Sequence, residues 1–331
     1  MRIAIAGLGN VGAASVRLLR AQADLLALRG QAITVVAVSA RDRAKNRDCD
    51  LTGIEWVDDP LALAAHAGID VVVETMGGAH GIGFDLAKET LNNGKHLVTA
   101  NKALIAAHGV ELARLAEKNK LQLSFEAAVC GGIPVLKVLR EGLAANRVTE
   151  LRGILNGTCN YILTRMSDDN MEFAAALAEA QRLGYAEADP AGDIDGHDAA
   201  NKLAILSAIA FGVKPDIASI SVEGIRAITQ ADLQDAAARG GRIKLLGIAS
   251  NSTGTVKRIV RPVFVPESEP LARVGGSGNM IEMTGDFAGI SRAGGLGAGG
   301  DATASAVVAD LVDIARGHRG CAFGIAAERL A

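Results

Sequence analysis

Apolar runs and helical spacings alternate through the first 130 residues. Residues 2–6 (R-I-A-I-A) read as a short buried strand, and 33–39 (I-T-V-V-A-V-S) as a second. Residues 69–75, 95–99 and 121–126 read as three more. Between the first two, Val11, Val16, Leu19 and Leu26 recur at helical spacing over 11–29. The strands are apolar throughout rather than alternating, which means burial on both faces. Such strands interleaved with helices predict an α/β fold with a doubly wound parallel sheet.

The pattern changes near residue 130. Helical spacing predicts helices at 134–144, 157–167, 171–183 and 197–211. Strand-like segments at 242–250 and 255–265 follow without helices between them. That order predicts a second, α+β domain. A last helix is expected at 301–316.

Composition sharpens this in a few places. The chain has 331 residues, enough for about two domains. Glycine counts 39, roughly 12% against a typical ~7%. The glycines follow no collagen period, so they belong where backbone turns tightly or approaches a ligand. Aromatics are only 3%, the net charge is −3, and no basic run occurs; nucleic acid is excluded as a partner. The four cysteines show no CxxC spacing, so neither zinc nor a disulfide framework is indicated. No long uncharged apolar stretch predicts a membrane span, and M-R-I-A-I-A-G leaves no room for a signal peptide. A reducing cytoplasm is the expected compartment.

Residues 7–12 read G-L-G-N-V-G directly after the first strand. In a GxGxxG turn, the first glycine (Gly7) permits the tight turn. Gly9 admits a pyrophosphate, and Gly12 allows close helix packing. Gly7, Leu8, Gly9, Asn10, Val11 and Gly12 are therefore candidate dinucleotide contacts. An NAD site places an acid at the end of the second strand. Here that end reads Ser39-Ala40-Arg41, followed by Lys45 and Arg47. Cations there predict NADP over NAD, with Arg41 and Lys45 on the 2′-phosphate.

Residues 185–202 hold five acids, Glu187, Asp189, Asp193, Asp195 and Asp198, with no cation before Lys202. Such a run is a solvated face unless its geometry is special. Asp198 and Lys202 stand at i and i+4 on an otherwise apolar helix, which places Lys202 beside buried surface as a candidate proton donor. A calcium loop fails, because the sixth position of D-I-D-G-H-D is Asp198 rather than glycine. His197 reads as a cap, and Cys130 and Cys159 as small buried residues.

Several motifs together resemble the homoserine dehydrogenases. They are G-L-G-N-V-G, V-V-V-E-T-M-G-G (71–78), V-T-A-N-K-A-L (98–104), F-E-A-A-V-C-G-G-I-P-V (125–135), N-G-T-C-N-Y-I-L (156–163), G-Y-A-E-A-D-P-A-G-D-I-D-G-H-D-A-A-N-K (184–202) and G-L-G-A-G-G-D-A-T-A-S-A-V-V (295–308). The resemblance implies reversible reduction of L-aspartate 4-semialdehyde to L-homoserine with NAD(P)H. It implies that Lys202 is the catalytic lysine, that Lys102 is a second lysine between nicotinamide and substrate, and that Asp198 supports them. It implies that Glu187 holds the substrate ammonium and that Asp193, Tyr185, Gly157 and Thr158 line the substrate pocket. Gly77 and Gly299 are implied at the cofactor. Carbonyls of Glu126, Val129, Gly131 and Ile133 are implied to hold a monovalent cation such as sodium. The chemistry is consistent: hydride addition to an aldehyde builds negative charge on oxygen, and an ammonium there stabilises it and donates the proton.

The resemblance also implies a homodimer and a discontinuous Rossmann-like nucleotide-binding domain, 1–130 with 296–331. The catalytic and dimerisation domain is then 131–295. Its motifs end near residue 316, so a C-terminal threonine-sensing ACT domain is not expected in this chain. Two other readings compete. An acylating semialdehyde dehydrogenase needs a nucleophilic cysteine, for which Cys159 is the candidate. A non-catalytic NADP sensor needs only the nucleotide turn.

Overall fold

The structure is a computed structural model that describes residues 1–252 and 254–331. The chain divides into two compact units. Unit 1 comprises Met1–Glu141, Gly212–Pro215 and Ala298–Ala331; unit 2 comprises Gly142–Phe211 and Asp216–Gly297.

Unit 1 carries strands β1 (Arg2–Ala6), β2 (Thr34–Ser39), β3 (Glu55–Trp56), β4 (Val71–Glu74), β5 (His96–Thr99) and β6 (Leu123–Ser124). They pair in the order β3-β2-β1-β4-β5-β6, all parallel. This is the doubly wound Rossmann-like sheet, whose winding reverses between β1 and β4. Helices α1 (Asn10–Ala21), α2 (Ala23–Leu28), α3 (Pro60–Ala65), α4 (Ile82–Asn92) and α5 (Lys102–Lys118) connect the strands. Alternate strand residues enter opposite cores. Ile3, Ile5, Val71 and Val73 face one, and Ala4, Ala6 and Val72 the other. Each fully buried Val or Ile contributes about 1.5–3 kcal/mol.

Three expectations change. The spacing over 11–29 resolves into α1 and α2 rather than one helix. The strand expected at 121–126 keeps only two residues. Beyond Ser124 the Glu126 amide donates to the Asp310 carboxylate at 2.9 Å, and the chain turns into a short 3-10 segment, Glu126–Ala128. The helix expected at 134–144 starts as α6 (Val135–Lys137) and widens into a π turn over Val138–Gly142.

Unit 2 holds β7 (Val148–Ile154), α7 (Gly157–Asp168), α8 (Phe173–Arg182), α9 (Ala191–Ile194), α10 (His197–Phe211), β8 (Ser221–Val222), α11 (Gln230–Ala238), β9 (Gly241–Ser252), β10 (Thr255–Pro266), β11 (Gly278–Gly285) and β12 (Gly289–Leu296). Its sheet order is β12-β11-β7-β9-β10-β8. Among the described residues, only the β8–β10 pairing of this sheet is parallel. The α+β architecture is as expected. Strands β7, β8, β11 and β12 are additions to it. For β11 and β12 the reason is compositional, because ten of the 39 glycines fall in 271–300 and hide the apolar alternation. One glycine in β7 has a clear reason. A Cβ on Gly153 would lie 2.6 Å from the Met280 carbonyl of β11, so a larger residue would push the strands apart.

Helix α12 (Gly300–Ala315) belongs to unit 1 and packs Val307, Leu311 and Ile314 into the core with Ile3, Ile5 and Val16. The tail beyond it is also anchored there. Phe323 meets Phe125 at 5.3 Å between ring centroids, the Ala327 amide donates to Glu117 at 3.1 Å, and the Ala331 amide donates to the Gly212 carbonyl at 3.1 Å.

Candidate active site

The nucleotide turn joins β1 to α1. Gly7 has φ +96°, and a Cβ there would meet the Thr75 carbonyl at 2.8 Å. Gly12 is tighter, since a Cβ would lie 1.9 Å from the Gly7 carbonyl. At Gly9, by contrast, a Cβ would meet nothing within 4 Å. The three glycines therefore separate into turn, open approach and helix packing. Gly9 caps α1, whose first turn contains no acid, so the positive end of the helix can take an anion.

A cavity of about 560 Å³ opens beside this turn. Gly7, Leu8, Gly9, Arg41, Lys45 and Gly77 line it, with Ser39, Asp42, Arg47 and Thr75 among the others. Asn10 lines a neighbouring cavity of about 400 Å³ with Lys45 and Gly300. Val11 packs at the edge of the core instead. Gly299, at φ +108°, caps α12, and a Cβ on Gly300 would come within 2.8 Å of the Asn10 carbonyl. The glycine loop before α12 thus lets two helix starts in unit 1 approach closely. Arg47 braces the turn. It donates to the Leu8 carbonyl at 3.2 Å and to the Lys45 carbonyl at 2.8 Å, and it lies 5.4 Å from the Trp56 ring centroid.

The other wall of this turn is organised by Glu74, a residue with no assigned role at the level of sequence. It is fully buried at the end of β4. Its carboxylate accepts the amides of Met76 (2.7 Å) and Gly77 (3.2 Å) and the Thr99 hydroxyl (2.6 Å). Burial raises its pKa above the ordinary carboxylate range, and these hydrogen bonds pull it back. The only hint in the sequence is one acid closing an apolar strand. Asn101 continues the network: it caps α5 by accepting the Leu104 amide at 3.1 Å and donates to the Gly78 carbonyl at 2.7 Å. Lys102 is therefore the first residue of α5, held beside the Gly77–Gly78 loop.

In unit 2 the acid-rich segment is resolved residue by residue. Lys202 is 8% exposed on α10. Its Nζ donates to Asp198 Oδ2 at 2.7 Å and to the Leu155 carbonyl at 2.8 Å. Asn156 Nδ2 donates to Asp193 Oδ1 (2.7 Å) and Asp198 Oδ2 (2.9 Å), while its Oδ1 accepts the Cys159 amide at 2.8 Å. Asn156 is thus the hub of the set and the cap of α7. In sequence it stands only as the first residue of N-G-T-C-N-Y-I-L, with no role of its own. Asp195 pairs instead with Arg226 (3.0 Å), and Asp189 accepts the Ala191 amide (3.1 Å). His197 is the first residue of α10.

Thr158, Tyr185 and Gly157 gather at the start of α7. Thr158 Oγ1 donates to the Tyr185 carbonyl at 2.7 Å, and Tyr185 lies 4.9 Å from the Tyr161 ring. A Cβ on Gly157 would meet the Ser277 carbonyl at 2.6 Å. Glu187 is exposed, and Gln181 holds its backbone carbonyl at 3.1 Å. Cys159 is buried. Burial pushes its thiol well above the ordinary range, and Asp193 and Asp198 push further. A thiolate nucleophile is therefore suppressed, against the acylating alternative.

In the 126–133 segment the Glu126 carbonyl accepts the Val129 amide at 3.3 Å and the Ile133 carbonyl the Val135 amide at 2.7 Å. The Glu126 side chain is committed to the amides of Leu136 (2.8 Å) and Lys137 (2.9 Å). Cys130 and Gly131 are consecutive left-handed residues (φ +55° and +41°) that bend the chain there. Among the described residues no cluster of three or more His, Cys, Asp or Glu is arranged for a metal ion, and no helix is long and apolar enough to cross a membrane.

A parallel sheet with this glycine turn, in one chain with a buried lysine–carboxylate set, defines an NAD(P)-dependent oxidoreductase. Profile comparison identifies residues 134–312 as "Homoserine dehydrogenase" and 7–126 as "Homoserine dehydrogenase, NAD binding domain". The homoserine dehydrogenase of Neisseria gonorrhoeae is 44% identical over 317 residues, covering 96% of this chain and 72% of its own. That of Bacillus subtilis is 37% identical, covering 96% and 74%. The crystal structure of the Thiobacillus denitrificans enzyme superposes with TM-score 0.94 at 42% identity, covering 100% of this chain and 78% of that one. A hyperthermophilic archaeal homoserine dehydrogenase in complex with NADPH gives TM-score 0.82 at 27% identity, covering 97% and 99%. The chain belongs to the homoserine dehydrogenase family, oxidoreductases that interconvert L-homoserine and L-aspartate 4-semialdehyde in amino-acid biosynthesis.

Proposed function

We propose that this chain reduces L-aspartate 4-semialdehyde with Lys202 as proton donor and NADPH as preferred cofactor. The observation that carries the reading is the placement of Lys202 Nζ against Asp198 and the Leu155 carbonyl in a nearly buried setting. The bound cofactor supplies the hydride to the carbonyl carbon. Lys202 gives a proton to the carbonyl oxygen, and in the reverse direction it takes the hydroxyl proton. Asp198 holds the ammonium, and Asn156 holds Asp198. Glu187 receives the substrate ammonium, with Asp193, Tyr185, Gly157 and Thr158 lining the pocket. Lys102 serves the reacting end of the cofactor. The carbonyls of Glu126, Val129, Gly131 and Ile133 take a monovalent cation such as sodium, whose charge would order that bend.

The NADP preference rests on Arg41 and Lys45 in the cavity wall, beside the strand end where an NAD site carries its acid and this chain has Ser39. Gly77 and Gly299 complete the cofactor contacts. Residues 1–130 with 296–331 are assigned to nucleotide binding, and 131–295 to catalysis and homodimerisation. Edge strand β12 supports dimerisation, since Ile290 and Leu296 are 54% and 63% exposed and the adjoining Phe287 is 90% exposed. Four free cysteines fit a reducing cytoplasm.

Homoserine oxidation tests the central claim. Lys202→Ala should lower kcat by about 10²–10⁴ while cofactor affinity holds. Retained turnover would refute the assignment. Arg41→Ala should lower the NADP/NAD ratio of kcat/KM, and an unchanged ratio would remove the cofactor preference.

A further inference from the structure

We propose that His80 and His108 form a binding site for one divalent transition-metal ion of the Cu²⁺, Ni²⁺ or Zn²⁺ class. Both residues lie in unit 1, His80 in the loop before α4 and His108 on α5. His80 Nδ1 and His108 Nε2 are 2.9 Å apart, with ring planes at 81°. Two imidazole nitrogens at that separation share one proton on the line between them; a metal ion sits off that line and binds once the proton has left and both rings pivot their lone pairs toward it. With metal–nitrogen bonds of about 2.0–2.1 Å, nitrogens 2.9 Å apart subtend roughly 90° at an ion. That is the angle between adjacent ligands in square-planar or octahedral coordination, the geometry of Cu²⁺ and Ni²⁺.

The surroundings hold the pair ready. Phe84 stacks on His108, with centroids 4.1 Å apart and planes at 28°, which restricts rotation of that ring. His80 is exposed and His108 half-buried, so water can fill the remaining coordination positions. The nearby cation Lys88 is paired with Glu111 at 3.2 Å, and Glu111 lies one helical turn beyond His108. Local charge is therefore balanced rather than repulsive to a cation. With only two protein ligands, the ion is exchangeable. When bound, it staples the loop before α4 to α5. That loop contains Gly77, Gly78 and Gly81, all at positive φ. The site is independent of the roles proposed for Lys202 and Lys102.

The test uses the full chain without an affinity tag. Titration with Cu²⁺ alone, followed by calorimetry and electron paramagnetic resonance, should show one saturable ion with splitting from two nitrogens. His80→Gln and His108→Gln should each weaken binding by at least about tenfold and reduce the splitting to one nitrogen. Hydrogen exchange of residues 78–84 should slow on metal addition in the wild type only. Folding of the variants is checked by homoserine oxidation without metal. If His108→Gln fails to fold, the exposed His80→Gln decides alone. Absence of saturable binding below millimolar metal, or binding unchanged by the substitutions, would overturn the site. Binding without slowed exchange would overturn the staple.

Discussion

Asn156 shows what a single residue can decide. Its amide divides two donor hydrogens between Asp193 and Asp198, and Asp198 in turn grips Lys202. With Asn156 removed, two carboxylates would lose their shared donor in a setting where an unmet polar group costs about 1–3 kcal/mol. Asn156→Ala should therefore lower kcat by about 10–100-fold, with a smaller change in cofactor KM. Steady-state kinetics check this, and a change confined to stability would contradict it. Lys202 and Asp198 are legible in the sequence, because i,i+4 spacing on an apolar helix is a local property. Asn156 is not, because its partners lie 37 and 42 residues away. Glu74 escapes for the same reason: its hydroxyl partner, Thr99, is on a neighbouring strand.

At the scale of elements, the turn between β1 and α1 separates two kinds of glycine. A methyl group on Gly9 has open space around it, whereas one on Gly12 collides with the Gly7 carbonyl at 1.9 Å. Gly9→Ala should fold with a near-normal thermal midpoint but raise the cofactor Kd, since the methyl occupies the approach that a pyrophosphate needs. Gly12→Ala should lose stability and cofactor binding together. Paired thermal unfolding and cofactor titration tell the two apart, and equal behaviour of the two variants would undo the division. The parallel sheet is readable because strands buried on both faces are apolar throughout. The opposite holds for β12, sequence G-I-S-R-A-G-G-L, which is mostly exposed and has little alternation to detect. The shortened β6 is hidden because its ladder ends where the distant Asp310 captures the Glu126 amide.

At the scale of the whole molecule, unit 1 contains a histidine that ties acidity to stability. His96 Nδ1 accepts the Gln122 amide at 2.9 Å, and Nε2 lies 3.2 Å from the Arg319 guanidinium, so donors face both ring nitrogens and an added proton is unfavourable. Burial, reinforced by the Arg319 charge, lowers its pKa to about 4 from 6.5. Below pH 6.5 the unfolded chain binds a proton that the folded chain does not. Stability is therefore present above that value and falls as pH drops from 6.5 towards 4. The half-buried ring limits this to roughly 1–2 kcal/mol. Denaturant midpoints at pH 4.5 and 7 should differ less in His96→Gln than in the wild type, and parallel losses would exclude His96 as the cause.

Helix α12 also bears on how the protein is made. Val307, Leu311 and Ile314 complete a core begun by Ile3 and Ile5, some 300 residues earlier in the chain. The first sheet leaves the ribosome with one apolar face uncovered, and it stays uncovered while the residues of unit 2 are synthesised. At about 5–20 residues per second, that wait lasts on the order of ten seconds or more. During it, the nascent nucleotide-binding half is a natural client for chaperones, and slow translation of the intervening segment would lengthen its exposure.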